Sequence, residues 1–69
     1  MIEVFSTNVK ESAEAGKMVG LLLQHFPNSR INFDLDDCDN ILRIEGSDFH
    51  PFDVIDLVTK NGFDCNILE

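Results

Sequence analysis

Three groups of side chains in this sequence are of types that do chemistry. Cys38 and Cys65 are the two cysteines, and thiolates hold soft metal ions. Cys65 falls in the inward phase of a predicted strand, however, where a free cysteine behaves as a small hydrophobe. Asp34, Asp36, Asp37 and Asp39 offer carboxylates to a hard cation such as Ca²⁺. Their spacing is not that of an EF-hand loop, no glycine sits at the required turn, and strand alternation sends Asp34 and Asp36 to solvent. A solvated acidic hairpin that steers a basic partner is the plainer reading. His25 and His50 are zinc-ligand types, but a site needs a third or fourth donor, and none accompanies them in sequence. No nucleophile elbow, phosphate-cradling glycine loop or metalloprotease motif is present. The sequence therefore predicts no catalytic residue, no enzyme activity and no cofactor.

The elements that position these groups are legible from periodicity. Ile2 to Thr7 alternates with a period of two, Ile2 and Val4 pointing one way and Glu3, Phe5 and Thr7 the other, which predicts a strand. Ser12 is placed to cap a helix, with Glu14 in its first turn. Ala15, Val19, Leu22, Leu23 and Phe26 recur at helical spacing until Pro27-Asn28 stops the run. Gly16 and Gly20 each cost about 1 kcal/mol in a helix interior relative to alanine; such a helix either needs close backbone approach to a neighbour or simply tolerates them. Ile31, Phe33 and Leu35 alternate with Asn32, Asp34 and Asp36 in a second strand. Asp37 to Asn40 is turn chemistry, Asn and Asp tolerating left-handed geometry. Leu42 and Ile44 face inward in a third strand ended by Gly46-Ser47-Asp48. Pro51 and Asp53 open a second helix with Val54, Ile55 and Val58 on its apolar face, and Asn61-Gly62 closes it. Phe63 to Leu68 reads as a last strand, with Cys65 and Ile67 inward. The order predicts one α+β domain over residues 1–69, a ferredoxin-like βαββαβ sandwich with a four-stranded antiparallel sheet and two helices on one face. In that topology the loop before the first helix, the hairpin at Cys38 and the loop before Phe63 gather at one end, and His25 and His50 at the other.

Charge narrows the partners. The chain of 69 residues carries 13 acidic and 5 basic side chains, a net charge of −8. Nucleic-acid binding and attachment to an anionic membrane surface need the opposite sign. Its 43% hydrophobic content, with six Phe, suffices for a core. The longest apolar run, Val19 to Leu23, is broken by Gly20 and cannot span a bilayer. The opening residues lack a basic n-region, and two cysteines in an acidic chain read as reduced thiols, so a cytoplasmic location is expected.

Two segments carry a resemblance. INFDLDDCDNILRIEG (Ile31 to Gly46) and DVIDLVTKNGFDCNILE (Asp53 to Glu69) look like the second and third strands, and the last helix and strand, of the heavy-metal-associated domains of copper chaperones and metal-transporting ATPases. Gly62-Phe63-Asp64 stands where that family has a glycine, an aromatic and an acid. The resemblance implies the same fold over nearly the whole chain. In that family the function sits in a Cys-x-x-Cys pair at the start of the first helix, where thiolates of lowered pKa hold Cu(I). Here Ser12 and Ala15 align with those cysteines, and Thr7-Asn8-Val9-Lys10 lacks the family's lead-in. Ala15 has no ligand atom and Ser12 only a neutral, hard oxygen.

What remains is a surface. Phe5, Ile41 and Leu68 fall in the outward phase of the first, third and fourth strands, which are adjacent in the family's strand order. They are expected to form one exposed apolar patch for a protein partner or a second copy. The sequence thus points to a small non-catalytic protein-interaction module on a heavy-metal-associated-like fold. The alternative is a metal-handling, chaperone-like protein with non-standard ligands, Cys38 foremost and Cys65 beside it. An acyl phosphate hydrolase on the same fold is disfavoured: the chain is short, and no basic anion-binding loop lies near the first helix.

Overall fold

A computed structural model describes residues 1–36, 38–47 and 49–68; Asp37, Asp48 and Glu69 lie outside the described residues. The elements run β1 (Ile2–Thr7), α1 (Ser12–His25), β2 (Arg30–Asp34), β3 (Ile41–Glu45), α2 (Pro51–Lys60) and β4 (Cys65–Ile67). The strands form one antiparallel sheet in the order β2-β3-β1-β4. The predicted ferredoxin-like α+β fold is the one observed.

Register decides which side chains share a face, because cross-strand partners point the same way. Phe33, Leu42, Phe5 and Ile67 lie side by side across the four strands, and Ile31 and Ile44 are paired one step away. Their face meets both helices: Met18 and Leu22 of α1 and Val54 and Val58 of α2 join Phe5, Ile31, Leu42, Ile44 and Cys65 in one buried cluster. The outward placement expected for Phe5 is therefore corrected. Phe5 is 0% exposed, while Ile2 of the same strand is 51% exposed and faces solvent. The phase of β1 is the reverse of the prediction, since pairing Phe5 with Leu42 buries a full aromatic side chain, the largest gain the strand offers.

The helix ends follow local chemistry. Glu11, not Ser12, is the N-cap of α1, and its side chain makes no capping bond. Ser12 is the first helical residue, and Ala15 N–H reaches Glu11 O at 3.0 Å. α2 starts as the sequence predicts, with Pro51 in its first turn, and His50 Nδ1 accepts from Phe52 N–H at 3.2 Å. Buried Phe49 precedes that cap and shares the core cluster with Val54, the spacing of a hydrophobic staple. α2 ends in a Schellman motif: Gly62 N–H bonds Thr59 O at 3.0 Å and Phe63 N–H bonds Val58 O at 3.4 Å. Gly62 takes φ +91° there, a backbone that side chains disfavour. With Phe63 N–H used by this cap, β4 begins only at Cys65 and is shorter than the predicted Phe63–Leu68 strand.

Candidate functional site

Four places on the molecule gather residues that could act, and each is built differently. The first is the end where β1 meets the β2–β3 hairpin. Thr7 stands opposite Cys65 in the sheet. Its N–H donates to Asp39 O at 3.1 Å, and its hydroxyl donates to Asn40 O at 2.6 Å while accepting from Val9 N–H at 3.2 Å. Asn40 turns the hairpin with φ 48°, as its residue type allows. Asn8 then clasps the loop before β4: its Oδ1 accepts from Asp64 N–H at 2.7 Å and its Nδ2 donates to Asp64 Oδ2 at 3.3 Å. Thr7 and Asn8 thus bind three loops into one end with hydrogen bonds. Thr7→Val keeps the shape but leaves the Asn40 carbonyl and the Val9 N–H without this partner. The expected loss is about 1–3 kcal/mol, read as a lowered urea midpoint with an unchanged m-value.

This is also the end where the resemblance puts a metal, and the residues do not fit one. Ser12 is exposed at the first turn of α1, and Ala15 is buried at 7% exposure with no donor to offer. The cysteines are split, Cys38 exposed on the hairpin and Cys65 buried against the helices. Burial pushes the Cys65 thiol from 9.0 up to about 11, because a thiolate there would lose its water. Among the described residues, no three His, Cys, Asp or Glu side chains gather into a metal-binding group. Of the acidic hairpin, Asp34 and Asp36 are exposed, as predicted; Asp34 Oδ1 accepts from Asp36 N–H at 3.2 Å, and Asp37 lies outside the described residues. A shift from 9.0 to about 11 cuts the thiolate of Cys65 about a hundredfold at any pH below both values. Thiol labelling of the native protein at neutral pH is therefore expected to modify Cys38 quickly and Cys65 only after denaturation. Two fast thiols would show β4 opening away from the helices.

The second and third places are shallow depressions along the two helices. One, of about 280 Å³, is lined by His25, Phe26, Asp53, Asp56, Leu57 and Lys60; the other, of about 250 Å³, by Glu14, Lys17, Met18, Asn61 and Phe63. Four of their polar side chains are engaged locally. Lys60 Nζ pairs with Asp56 Oδ2 at 2.9 Å, His25 Nδ1 lies 3.1 Å from Leu21 O, and Asn61 Nδ2 donates to Leu57 O at 2.7 Å. Neither hollow brings a nucleophile onto a base. His50, at the start of α2, uses its Nδ1 in the cap and stacks its ring on exposed Phe52, with centroids 5.5 Å apart.

The fourth place is the sheet face turned away from the helices. Alternation puts Arg30, Asn32 and Asp34 of β2, Ile41, Arg43 and Glu45 of β3, Ile2, Val4 and Ser6 of β1, and Asn66 of β4 on it. Leu68 continues β4 beside Val4, with its N–H on Val4 O at 2.9 Å. None of these residues is buried. Ile2, Val4 and Leu68 make a continuous apolar strip, and Ile41 sits diagonally from Val4 across the β1–β3 pair. Of the three residues expected in an apolar patch, Ile41 and Leu68 lie on this face and Phe5 does not; Ile2 and Val4 lie on it beside them. Arg43 lies within the face, 3.9 Å from Glu45, too far for a hydrogen bond.

Comparison with family models, with curated proteins and with solved structures gives no match. The functional reading rests on the residues themselves. No helix among the described residues is long and apolar enough to cross a membrane.

Proposed function

We propose that this chain is a non-catalytic protein-interaction module on a heavy-metal-associated-like fold, without that family's metal site, and that it works through the open face of its sheet. The observation that carries this reading is the strip of Ile2, Val4, Ile41 and Leu68 on the side of the sheet that no helix covers. Apolar residues that adjoin one another on an uncovered face mark a contact surface more often than residues scattered singly do. In the helical hollows Lys60 pairs with Asp56, and Asn61 and His25 bond carbonyls of their own helices, and neither hollow brings a nucleophile onto a base.

The loss of the metal site is supported by chemistry at the positions that would carry it. At the two positions that the resemblance aligns with the family's cysteines stand an exposed serine and a buried alanine, and the two thiols are divided between surface and core. Titration of the reduced protein with Cu(I) and Zn²⁺ against a competing chelator is expected to show no stoichiometric binding. Tight binding abolished by Cys38→Ser would replace this reading with metal handling.

The interaction itself is tested by photo-cross-linking in the cell of origin, with a benzophenone side chain at Ile41 or, for comparison, at Leu57 in the hollow between the helices. Adducts to a polypeptide are expected from position 41 and not from position 57, and Val4→Asp on the same face is expected to abolish them. Adducts from position 57 alone would move the binding surface to the helices.

A further inference from the structure

The distribution of charge says what kind of partner fits this face. The open face carries two arginines, Arg30 and Arg43, against two carboxylates, Asp34 and Glu45. Its formal charge cancels, so the entire net charge of −8 falls on the other residues. Both arginines of the chain lie on this face, and its three lysines, Lys10, Lys17 and Lys60, lie elsewhere. Arginine is the cation that interfaces favour, because its planar head is weakly hydrated and pairs carboxylates with two parallel bonds.

From this we infer that the partner of the open face is a second copy of the same chain, the two sheets packing face to face; the inference rests on the docking-face reading above and names its occupant. A basic partner would be drawn to the acidic remainder of the molecule and not to this face, where the charges cancel. An acidic partner other than this chain would need its own arginines placed to match. A second copy brings both signs and a matching apolar strip by construction, since a two-fold contact sets the same surface against itself. Pairing also directs the two acidic sides outward, away from each other.

The size of the face sets the strength. Four strands about 4.8 Å apart and about five residues long, at roughly 3.4 Å per residue, project on the order of 300 Å². That is below the roughly 800 Å² per partner of a standard stable interface, so the pair is expected to be weak and reversible, with a dissociation constant in the micromolar range or above. Ionic strength matters in a definite direction. At about 0.01 M salt the Debye length is about 30 Å, longer than the molecule's largest extent of 27 Å, and the full −8 on each copy opposes pairing. At about 0.15 M it is about 8 Å, and contact forces decide.

The test exchanges the signs at Arg43 and Glu45, which lie outside the buried core. Arg43→Glu gives the face a charge of −2, and Glu45→Arg gives it +2. Sedimentation equilibrium in about 0.15 M salt, at protein concentrations from about 0.05 to 1 mM, brackets the affinity expected for so small a face. The wild-type chain is expected to rise from its monomer mass of 7.8 kDa toward twice that value. Each variant alone is expected to self-associate at least about tenfold more weakly, and the equimolar mixture of the two to pair at least as well as wild type. Restoration in the mixture is something a general loss of stability would not produce. A wild-type protein that stays monomeric through this range overturns self-pairing and leaves the docking face to the cross-linking test. Self-association that ignores both substitutions, with concentration-dependent amide shifts on α1 and α2, overturns self-pairing through the sheet and the docking-face reading together.

Discussion

Phe5→Ala is expected to remove about 3–5 kcal/mol, the range for deleting a fully buried aromatic side chain. Phe5 is 0% exposed and stands in an inner strand between Leu42 of β3 and Ile67 of β4. A domain of 69 residues has a total stability on the order of 3–10 kcal/mol, so this one change uses most of it. The variant is expected to be substantially unfolded at 37 °C by circular dichroism, or to melt far below wild type. Val4→Ala, one residue away on the opposite face, removes a half-buried side chain and is expected to cost about 1 kcal/mol. The contrast between adjacent positions measures the phase of β1 directly. If Val4→Ala proved the costlier of the two, the strand would be facing the other way, and the apolar strip on the open face would not exist.

That phase is also where the sequence is hardest to read. Strands β2 and β3 carry apolar residues in one phase and polar ones mostly in the other, so alternation alone marks Ile31, Leu42 and Ile44 as core and Ile41 as outward. β1 is apolar in both phases, Ile2 and Val4 against Phe5, so its own alternation does not choose a face. Only the pairing with Leu42 and Ile67 chooses between them, and pairing is long-range information. Helix α1 has a similar ambiguity. Leu21, Leu22 and Leu23 run consecutively and fit several rotations; the structure buries Met18 and Leu22 and leaves Leu23 38% exposed.

Other positions carry a local signal that periodicity does not pick up. Phe49 sits five residues before Val54, just outside a Pro-led helix start, and a hydrophobic staple has that spacing. Val9 is fully buried although it follows the strand in an apparently polar loop; Thr7 turns the chain inward there by accepting from Val9 N–H. Ser12 is a strong capping type, yet the chain enters the helix one residue earlier, at Glu11. Of the candidate site, the separation of the two thiols is readable from the inward phase of Cys65. The neutral charge of the open face is not, because it depends on which phase of each strand looks outward.

The two glycines of α1 give the second large effect, in the stabilising direction. Gly16 and Gly20 are exposed, and a Cβ built on either would meet nothing within 4 Å. No neighbour approaches closely enough to require them, so the helix simply tolerates both. Replacing each by alanine is expected to add about 1 kcal/mol by restricting the unfolded chain and favouring helix. The double variant is expected to gain up to about 2 kcal/mol, and in a domain of this size each kcal/mol moves the melting midpoint by about 4–8 °C. Gly46→Ala serves as the opposing control. A Cβ at Gly46 would lie 2.7 Å from Ser29 Oγ and 3.3 Å from Ser29 Cα. The serine must rotate and the backbone give way, so that variant is expected to lose about 1–3 kcal/mol. Thermal melts of the three proteins decide the matter. A loss of stability on filling Gly16 and Gly20 would mean that something packs on the outer side of α1, and would make that helix, in place of the open sheet, the first surface to probe for a partner.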